Sequence, residues 1–524
     1  MKEKIVVINF ESEYAHFIAK NIRFLGYYSE IQNPNISLND LENTKGIIFA
    51  RKNDENFTSV ISEINEQITN LNIPILDLGK EKDFSTKSND NKFLENFIET
   101  CNFKKNWEVQ QILEFILEKI KTTTINKNVL LFLTGEFKST VIFALLNKVL
   151  GKERVLGLHI NNGFLRENEI EIITQQYINL GFTNFILEDE SEVFLSTIQK
   201  IINPQEKQQI IDKTFLEVHN EIFKKLNLLE NQWILAQEKT YPDVIEFGKS
   251  KFSHGIKINH NKIAEVQSLI SKGLIIEPLN NLYNEEIILI GKTLGLPENL
   301  ICQHPFSSQG LSVNTLCSND VLSSQEERDI KKINQNLTKI DLSSFFNIND
   351  YSLKALPVKS IGKQSIFNTN KFPAILTLKS KNIFNWDLLE KASEKILEKN
   401  FEVNRVILSI YEKENCCIQE QFCTKERLDQ IRQVDKIVID ELKTNNEYDK
   451  IYQHFTINVP YSCSKNSCSI VLRPIISENV VTAKFAKLST KTLNNIVEKI
   501  QKLDFVDALY YDITNNTPIS FGWE

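Results

Sequence analysis

No apolar run in the 524-residue chain approaches the roughly 20 residues that a membrane-spanning helix needs. The N-terminus has no secretory layout either, since Met1-Lys2-Glu3-Lys4 leads straight into the strand-like Ile5-Val6-Val7-Ile8. The expectation is a cytoplasmic protein with no membrane partner. Charge of one sign is not in large excess: 61 basic and 68 acidic residues are well mixed, for a net charge of -7. A long nucleic-acid polyanion would need a basic stripe, so a small molecule or another protein is the expected partner. The eight cysteines, at 101, 302, 317, 416, 417, 423, 463 and 468, show no paired CxxC spacing. They read as unpaired thiols, with neither structural disulfides nor a zinc site expected. Internal repeats and low-complexity tracts are missing as well. What is present is an ordinary globular composition, 41% hydrophobic and 25% charged, in a chain long enough for roughly three domains.

The first hundred residues alternate apolar strands with amphipathic helices. Ile5 to Phe10 is a buried-strand run; Ala15, Ile18, Ile22 and Leu25 recur at helical spacing, and Gly26 closes that helix. Gly46-Ile47-Ile48-Phe49 and Ile73-Pro74-Ile75-Leu76 predict two more strands, hence a small parallel sheet, before a polar stretch at 79–92 that reads as a linker. A second α/β unit begins near Trp107. Ile112, Phe115, Ile116 and Ile120 mark a helix, Val129 to Leu133 a strand ending at Thr134-Gly135, Ser139 to Leu150 a helix, and Val155 to Ile160 the next strand. Strand, glycine turn, helix, strand is the layout of a nucleotide-binding sheet. From about Asn314 the texture changes to polar helices and separated strands such as Val406 to Ile410. The chain closes on a helix bearing Leu493, Ile496, Val497 and Ile500 and a strand from Phe505 to Ile513, an α+β arrangement.

Six segments, in order and at compatible spacing, resemble the GMP synthase family. They are Gly157 to Arg166 (GLHINNGFLR), Trp233 to Gln237 (WILAQ), Tyr241 to Glu246 (YPDVIE), Ile276-Glu277-Pro278-Leu279, His304-Pro305-Phe306, and Tyr511-Asp512-Ile513 through Trp523-Glu524. The resemblance implies amination of xanthosine monophosphate (XMP) with ATP, Mg2+ and glutamine-derived ammonia. It also implies an α/β fold class: a flavodoxin-like glutamine-amidotransferase-like domain, here truncated, at 1–100, an adenine-nucleotide alpha-hydrolase-like ATP-pyrophosphatase domain at 101–313, and α+β dimerisation subdomains at 314–440 and 441–524. Leu356 to Gly362 resembles the start of the first subdomain of the family's longer form and Leu472-Arg473-Pro474 the middle of the second. A homodimer and a purine nucleotide ligand follow from the same resemblance.

Residue by residue, the chemistry departs from that pattern. Glutamine hydrolysis needs a Cys nucleophile activated by a His that a carboxylate orients, yet Gly79 stands at the nucleophile's position, His16 is the only histidine before Trp107, and the oxyanion-side Gly-Gly turn reads Ala50-Arg51-Lys52-Asn53. The family's Ser-Gly-Gly-x-Asp-Ser pyrophosphate loop reads Thr134-Gly135-Glu136-Phe137-Lys138-Ser139. Thr134, Gly135, Lys138, Ser139 and Thr140, with Asp243, are the residues the resemblance leaves for ATP or pyrophosphate, while Glu136 puts a negative charge where phosphate oxygens approach. A Walker-type loop is not an alternative reading, because Phe137 and Phe132 hold its glycine positions. Asn161, Glu238-Lys239, Asn284, Gln303, Ser307-Ser308-Gln309-Gly310, Asn479, Asn516 and Gly522 replace further family residues, and Asn259-His260-Asn261 keeps one histidine of two. His304, Arg473 and Glu524 remain for XMP; no metal ligand is identified. Each lost charge-assisted contact costs about 1.5–3 kcal/mol. Three readings result: a catalytically impaired or inactive homologue that binds a nucleotide or a protein partner; a working ammonia-dependent synthase with a rebuilt ATP site that would need ATP and Mg2+; and a ligase of the same reaction type acting on a different acceptor, which would explain the altered acceptor residues but not Glu136.

Overall fold

The computed structural model describes residues 3–10, 14–34, 36–51, 72–80, 92–226, 233–243, 272–301, 303–304, 306, 309–364, 367–379, 385–476, 484–515 and 522–524. Lys52, Asn53, residues 244–246 and 259–261, Cys302, Pro305, Ser307, Ser308, Asn479, Asn516 and most of the 79–92 linker lie outside the described residues.

At the N-terminal end, β1 (Lys4–Asn9), α1 (Tyr14–Phe24), β2 (Ser29–Gln32), β3 (Thr44–Ala50) and β4 (Ile75–Asp77) build a parallel sheet of order β2-β1-β3-β4. The central strands β1 and β3 are apolar on both faces because both faces are covered: Ile5 and Val7 enter one cluster, Val6 and Ile8 another. Helix α2 (Lys92–Thr100) lays Leu94, Phe97 and Ile98 on the first of these. The strand order is that of the first four strands of a flavodoxin-like sheet.

The second unit contains α3 (Val109–Thr123), β5 (Asn128–Phe132), α4 (Phe137–Leu150), β6 (Val155–Asn161), α5 (Glu169–Asn179), β7 (Phe185–Asp189), α6 (Pro204–Lys225), β8 (Trp233–Ala236), β9 (Ile275–Ile276) and α7 (Asn284–Thr293). All five strands are parallel, in the order β7-β6-β5-β8-β9. Chain order reverses at β5, so the loop after it opens at the topological switch point where such sheets bind ligands. Helix α3 buries Ile112, Leu113, Ile116 and Ile120, whereas Phe115, expected on that face, is exposed.

Beyond β10 (Ser318–Asn319) the chain forms one eight-stranded sheet carrying helices. The elements of this region are α8 (Ser324–Leu337), β11 (Tyr351–Ala355), β12 (Ser360–Gln364), β13 (Phe367–Leu378), α9 (Trp386–Lys399), β14 (Val403–Glu412), the short β15 (Cys417–Ile418) and β16 (Glu420–Gln421), then α10 (Lys425–Thr444), β17 (Gln453–Val459), the short β18 (Tyr461–Ser462), β19 (Cys468–Ile476), β20 (Lys484–Phe485), α11 (Thr490–Ile500) and β21 (Val506–Asp512); β15 with β18, and β16 with β10, pair outside the large sheet. The sheet order β11-β13-β14-β21-β19-β17 reveals an internal repeat that the sequence did not show. In each half a helix precedes an antiparallel strand pair, and a crossover helix leads to a strand parallel to the second of them. The halves meet antiparallel at β14 and β21, with Leu408 opposite Tyr511, which makes the arrangement pseudo-twofold. Because α10 runs unbroken through residue 440, the second repeat starts with this helix, ahead of 441. Side-chain alternation sends Ala374, Leu376, Val406, Leu408, Leu509 and Tyr511 to the helix-covered core, and Ile375, Ile407, Ala508 and Tyr510 to the opposite face under Trp523.

Candidate functional site

The loop joining β5 to α4 holds the residues singled out for a phosphate. Gly135 has φ +84°, and a Cβ there would lie 2.5 Å from Ile173 Cδ1, so only glycine fits this turn. Glu136 caps α4 through its backbone: its carbonyl accepts from Ser139 Oγ at 2.9 Å and Thr140 Oγ1 at 3.1 Å. Ser139 and Thr140 are thus buried and turned back on the helix, and Thr140 Oγ1 also pairs with Tyr177 Oη at 3.1 Å. Thr134 Oγ1 sits 3.1 Å from Ser139 Oγ and donates to Glu238 Oε1, again at 3.1 Å. The half-buried Glu238, just past β8, therefore reaches into the hydroxyl face of the loop. Loss of hydration, followed by the Glu136 charge, pushes its carboxyl up to about 8, with Lys138 pulling the other way. Lys138, in the first turn of α4, is half-buried with its ammonium 5.9 Å from the Phe137 ring centre.

Asp243 lies beyond the end of β8. It is buried, and its Oδ2 accepts from the Thr240 amide at 3.0 Å and Thr240 Oγ1 at 2.7 Å, fixing the turn after β8. Asn161 likewise shapes a turn, accepting from the Gly163 amide and donating to Asp189.

Around Gly79 the geometry is equally specific. Arg51 forms a two-pronged pair with Asp77, Nε to Oδ1 and Nη2 to Oδ2, both at 2.8 Å, and Asp77 Oδ1 accepts from the Gly79 amide at 3.1 Å. A Cβ on Gly79 would lie 2.6 Å from Arg51 Cζ. The space a nucleophilic side chain would take is filled by a guanidinium. His16 points elsewhere, with Nδ1 3.4 Å from Tyr283 Oη in the second unit.

The three residues expected at XMP are held by three different sets of partners. His304 stacks on Tyr448 with ring centres 3.7 Å apart, and its Nε2 lies 2.9 Å from the Tyr448 carbonyl. Burial, with His454 next, drives it down to about 3. This places His304 beside a network that sequence reasoning missed: Asp435 accepts from His454 Nε2 at 2.9 Å and Thr456 Oγ1 at 3.0 Å, and pairs with Arg166 Nε at 3.1 Å. Burial opposes the Asp435 charge, but Arg166 and His454 outweigh it and hold the carboxyl at about 2. Arg166 in turn lies under the Phe306 ring at 4.1 Å, and Arg432 donates to the carbonyls of Gly163 and Leu165.

Arg473 is buried in the C-terminal sheet and pairs with Asp512 at 2.8 Å; Arg405 meets the same carboxylate at 3.1 Å and donates to the carbonyls of Ile361 and Gly522. Burial and the second guanidinium lower Arg405 to about 9. Glu524 pairs with the buried Lys207, whose ammonium also donates to the carbonyls of Ser312 and Thr315. Burial raises Glu524 to about 6 against the pull of Lys207. Gly310 allows this segment its close approach, for a Cβ there would sit 2.2 Å from the Phe164 carbonyl oxygen. Among the described residues no cluster of three or more His, Cys, Asp or Glu is arranged to hold a metal ion, and no helix is long and apolar enough to cross a membrane.

No family model matches the chain. Individual proteins do. A Leptospira interrogans protein named "Probable GMP synthase (glutamine-hydrolyzing)" is 26% identical over 615 aligned positions that take in 100% of this chain and 99% of that protein. The alignment is longer than the chain's 524 residues, so the relative has stretches with no counterpart here. The GMP synthase (glutamine-hydrolyzing) of Dictyostelium discoideum is 26% identical over 84% of this chain and 68% of that protein, and that of Thermosipho africanus 32% over 63% and 65%. Among solved structures, an NH3-dependent NAD synthetase from Campylobacter jejuni overlaps 46% of this chain and 90% of that one at 15% identity, with a TM-score of 0.29.

Proposed function

Since the chain is a divergent full-length homologue of the GMP synthases, we propose that it keeps their architecture as a binding scaffold, for a purine nucleotide or a protein partner, and runs neither half of their reaction. The observation that carries this is the Glu238 carboxyl, which accepts from Thr134 within the loop where a nucleotide's phosphates would lie. A side-chain carboxyl already occupies the place of the phosphate oxygens. A triphosphate would have to displace that carboxyl and approach Glu136 as well, so the residues present do not fit ATP. Thr134, Gly135, Lys138, Ser139, Thr140 and Asp243 are on this reading remnants of a phosphate site, and His304, Arg473 and Glu524 remnants of an XMP site now spent on internal pairs.

Loss of the amidotransferase belongs to the same proposal. Residues 1–100 are a truncated remnant in which the Arg51–Asp77 pair takes the room over Gly79. Residues 101–313 are on this reading the ATP-pyrophosphatase unit, and the two repeats beyond 314, the second beginning with α10, the paired dimerisation-type subdomains. A competing reading, a working ammonia-dependent synthase, draws on the positive φ of Gly135 and the place of Lys138 at the start of α4. The deciding experiment supplies purified protein with ATP, Mg2+, XMP and ammonium and follows pyrophosphate and GMP. No product is expected from wild type. Product that disappears in Lys138→Ala would sink the scaffold reading. Glu136→Gly/Glu238→Gly, which empties the loop of both carboxyls, is expected to gain a thermal shift with pyrophosphate that wild type lacks.

A further inference from the structure

Away from the candidate site, the two repeats of the C-terminal sheet touch at a pair of thiols. β15 pairs antiparallel with β18, Cys417 opposite Ser462 and Ile418 opposite Tyr461. One step along that register sets Cys416 against Cys463, and their Sγ atoms lie 3.2 Å apart. Cys463 is exposed and Cys416 half-buried. Both turns are anchored to one carboxylate: Asp507 accepts from Lys413 Nζ and from the Cys463 amide, each at 2.8 Å. The thiols are thus held together by the backbone around them before any bond forms.

We propose that Cys416 and Cys463 are a modification site, forming a reversible cross-strand disulfide by exchange with a low-molecular-weight disulfide. The exposed Cys463 is the entry thiol. As its thiolate it attacks one sulfur of the small disulfide; that S–S bond breaks, a mixed disulfide forms, and one small thiol leaves with the proton Cys463 gave up. The Cys416 sulfur then attacks the Cys463 sulfur, the mixed disulfide breaks, and the second small thiol departs with the Cys416 proton. Two protein thiols are oxidised to one disulfide and one small disulfide is reduced to two thiols, with no net proton change. Burial, the neighbouring Cys463, Glu412 and Asp507 all raise the Cys416 thiol, which counts against it as the entry thiol, while the 3.2 Å separation places it to resolve the mixed disulfide. Cys417 faces the other way along β15, its Sγ accepting from Gln419, and takes no part. The bond would close a loop between residues 47 apart in sequence, containing α10, whose Asp435 and Arg432 grip the Arg166 turn of the nucleotide-fold unit.

The test uses the reduced full chain with glutathione disulfide, read by thiol count and by a non-reducing peptide map. Wild type and Cys417→Ser are expected to lose two thiols, yield the Cys416–Cys463 peptide, and gain on the order of 5 °C in Tm that dithiothreitol reverses. Cys416→Ser should stall with glutathione on Cys463, and Cys463→Ser should form no cross-link. Reduced variants with wild-type Tm establish that they fold. A glutathione adduct that persists on wild-type Cys463, a bridge through Cys417, or no thiol lost would each overturn the proposal.

Discussion

His304 and Glu238 show how one side chain's surroundings set its chemistry, and they pull stability in opposite directions with pH. His304 is held at about 3 against an ordinary 6.5. Between those values the unfolded chain takes up a proton that the folded chain refuses, so stability falls as pH drops from about 6.5. His304→Gln is expected to lose less Tm than wild type between pH 7 and pH 5; equal losses would remove His304 from the cause. For Glu238 the sign reverses. Its folded value of about 8 against 4.5 means that the unfolded chain releases its proton first, so stability falls as pH rises from 4.5 through about 8. Glu238→Gln should flatten that slope and melt above wild type at alkaline pH. The sequence marked Glu238 as a residue out of pattern, but its reach to Thr134 joins positions 104 residues apart and depends on β5 and β8 being neighbours.

At the scale of elements, the crossover helices of the two repeats do the same work. Leu389 and Ile396 on α9, like Leu493 and Ile496 on α11, are buried in one core beneath the sheet. Leu389→Ala and Leu493→Ala are each expected to cost about 2–5 kcal/mol, read as a shift in denaturant midpoint at unchanged m-value. If only one variant is destabilised, the halves do not share their packing. The helical face of α11 was plain from Leu493, Ile496, Val497 and Ile500, because a 3.6-residue period is written locally. The repeat was not, since strands joined by crossovers pair across long separations that no local period records.

Over the whole molecule, Arg23 ties the first sheet to the second unit. Its guanidinium lies 4.4 Å from the Tyr241 ring, 5.0 Å from Tyr283 and 5.2 Å from both Tyr28 and Trp107, pairs with Glu286 at 3.2 Å, and donates to the Ser29 and Asn281 carbonyls. Removing one partner of a buried pair strands the other. Arg23→Ala is expected to cost about 3–5 kcal/mol, seen as faster hydrogen exchange in β1 and β3 and altered Trp107 fluorescence, while β5 and β6 keep their protection. Uniform loosening of both sheets would show that Arg23 does not act at this junction.

The sequence by itself determined the α/β units, the glycine turn after Val129 to Leu133, the absence of a cysteine at position 79, and the kinship that six ordered segments carry. These are local patterns or residue identities, which the chain states directly. Tertiary structure alone decided that Arg51 fills the room over Gly79, that Glu238 reaches the loop after β5, that Arg473 and Glu524 pair with Asp512 and Lys207, and that Cys416 meets Cys463. Each of these joins groups far apart in sequence, so its geometry follows from strand order and helix packing rather than from any run of neighbouring residues.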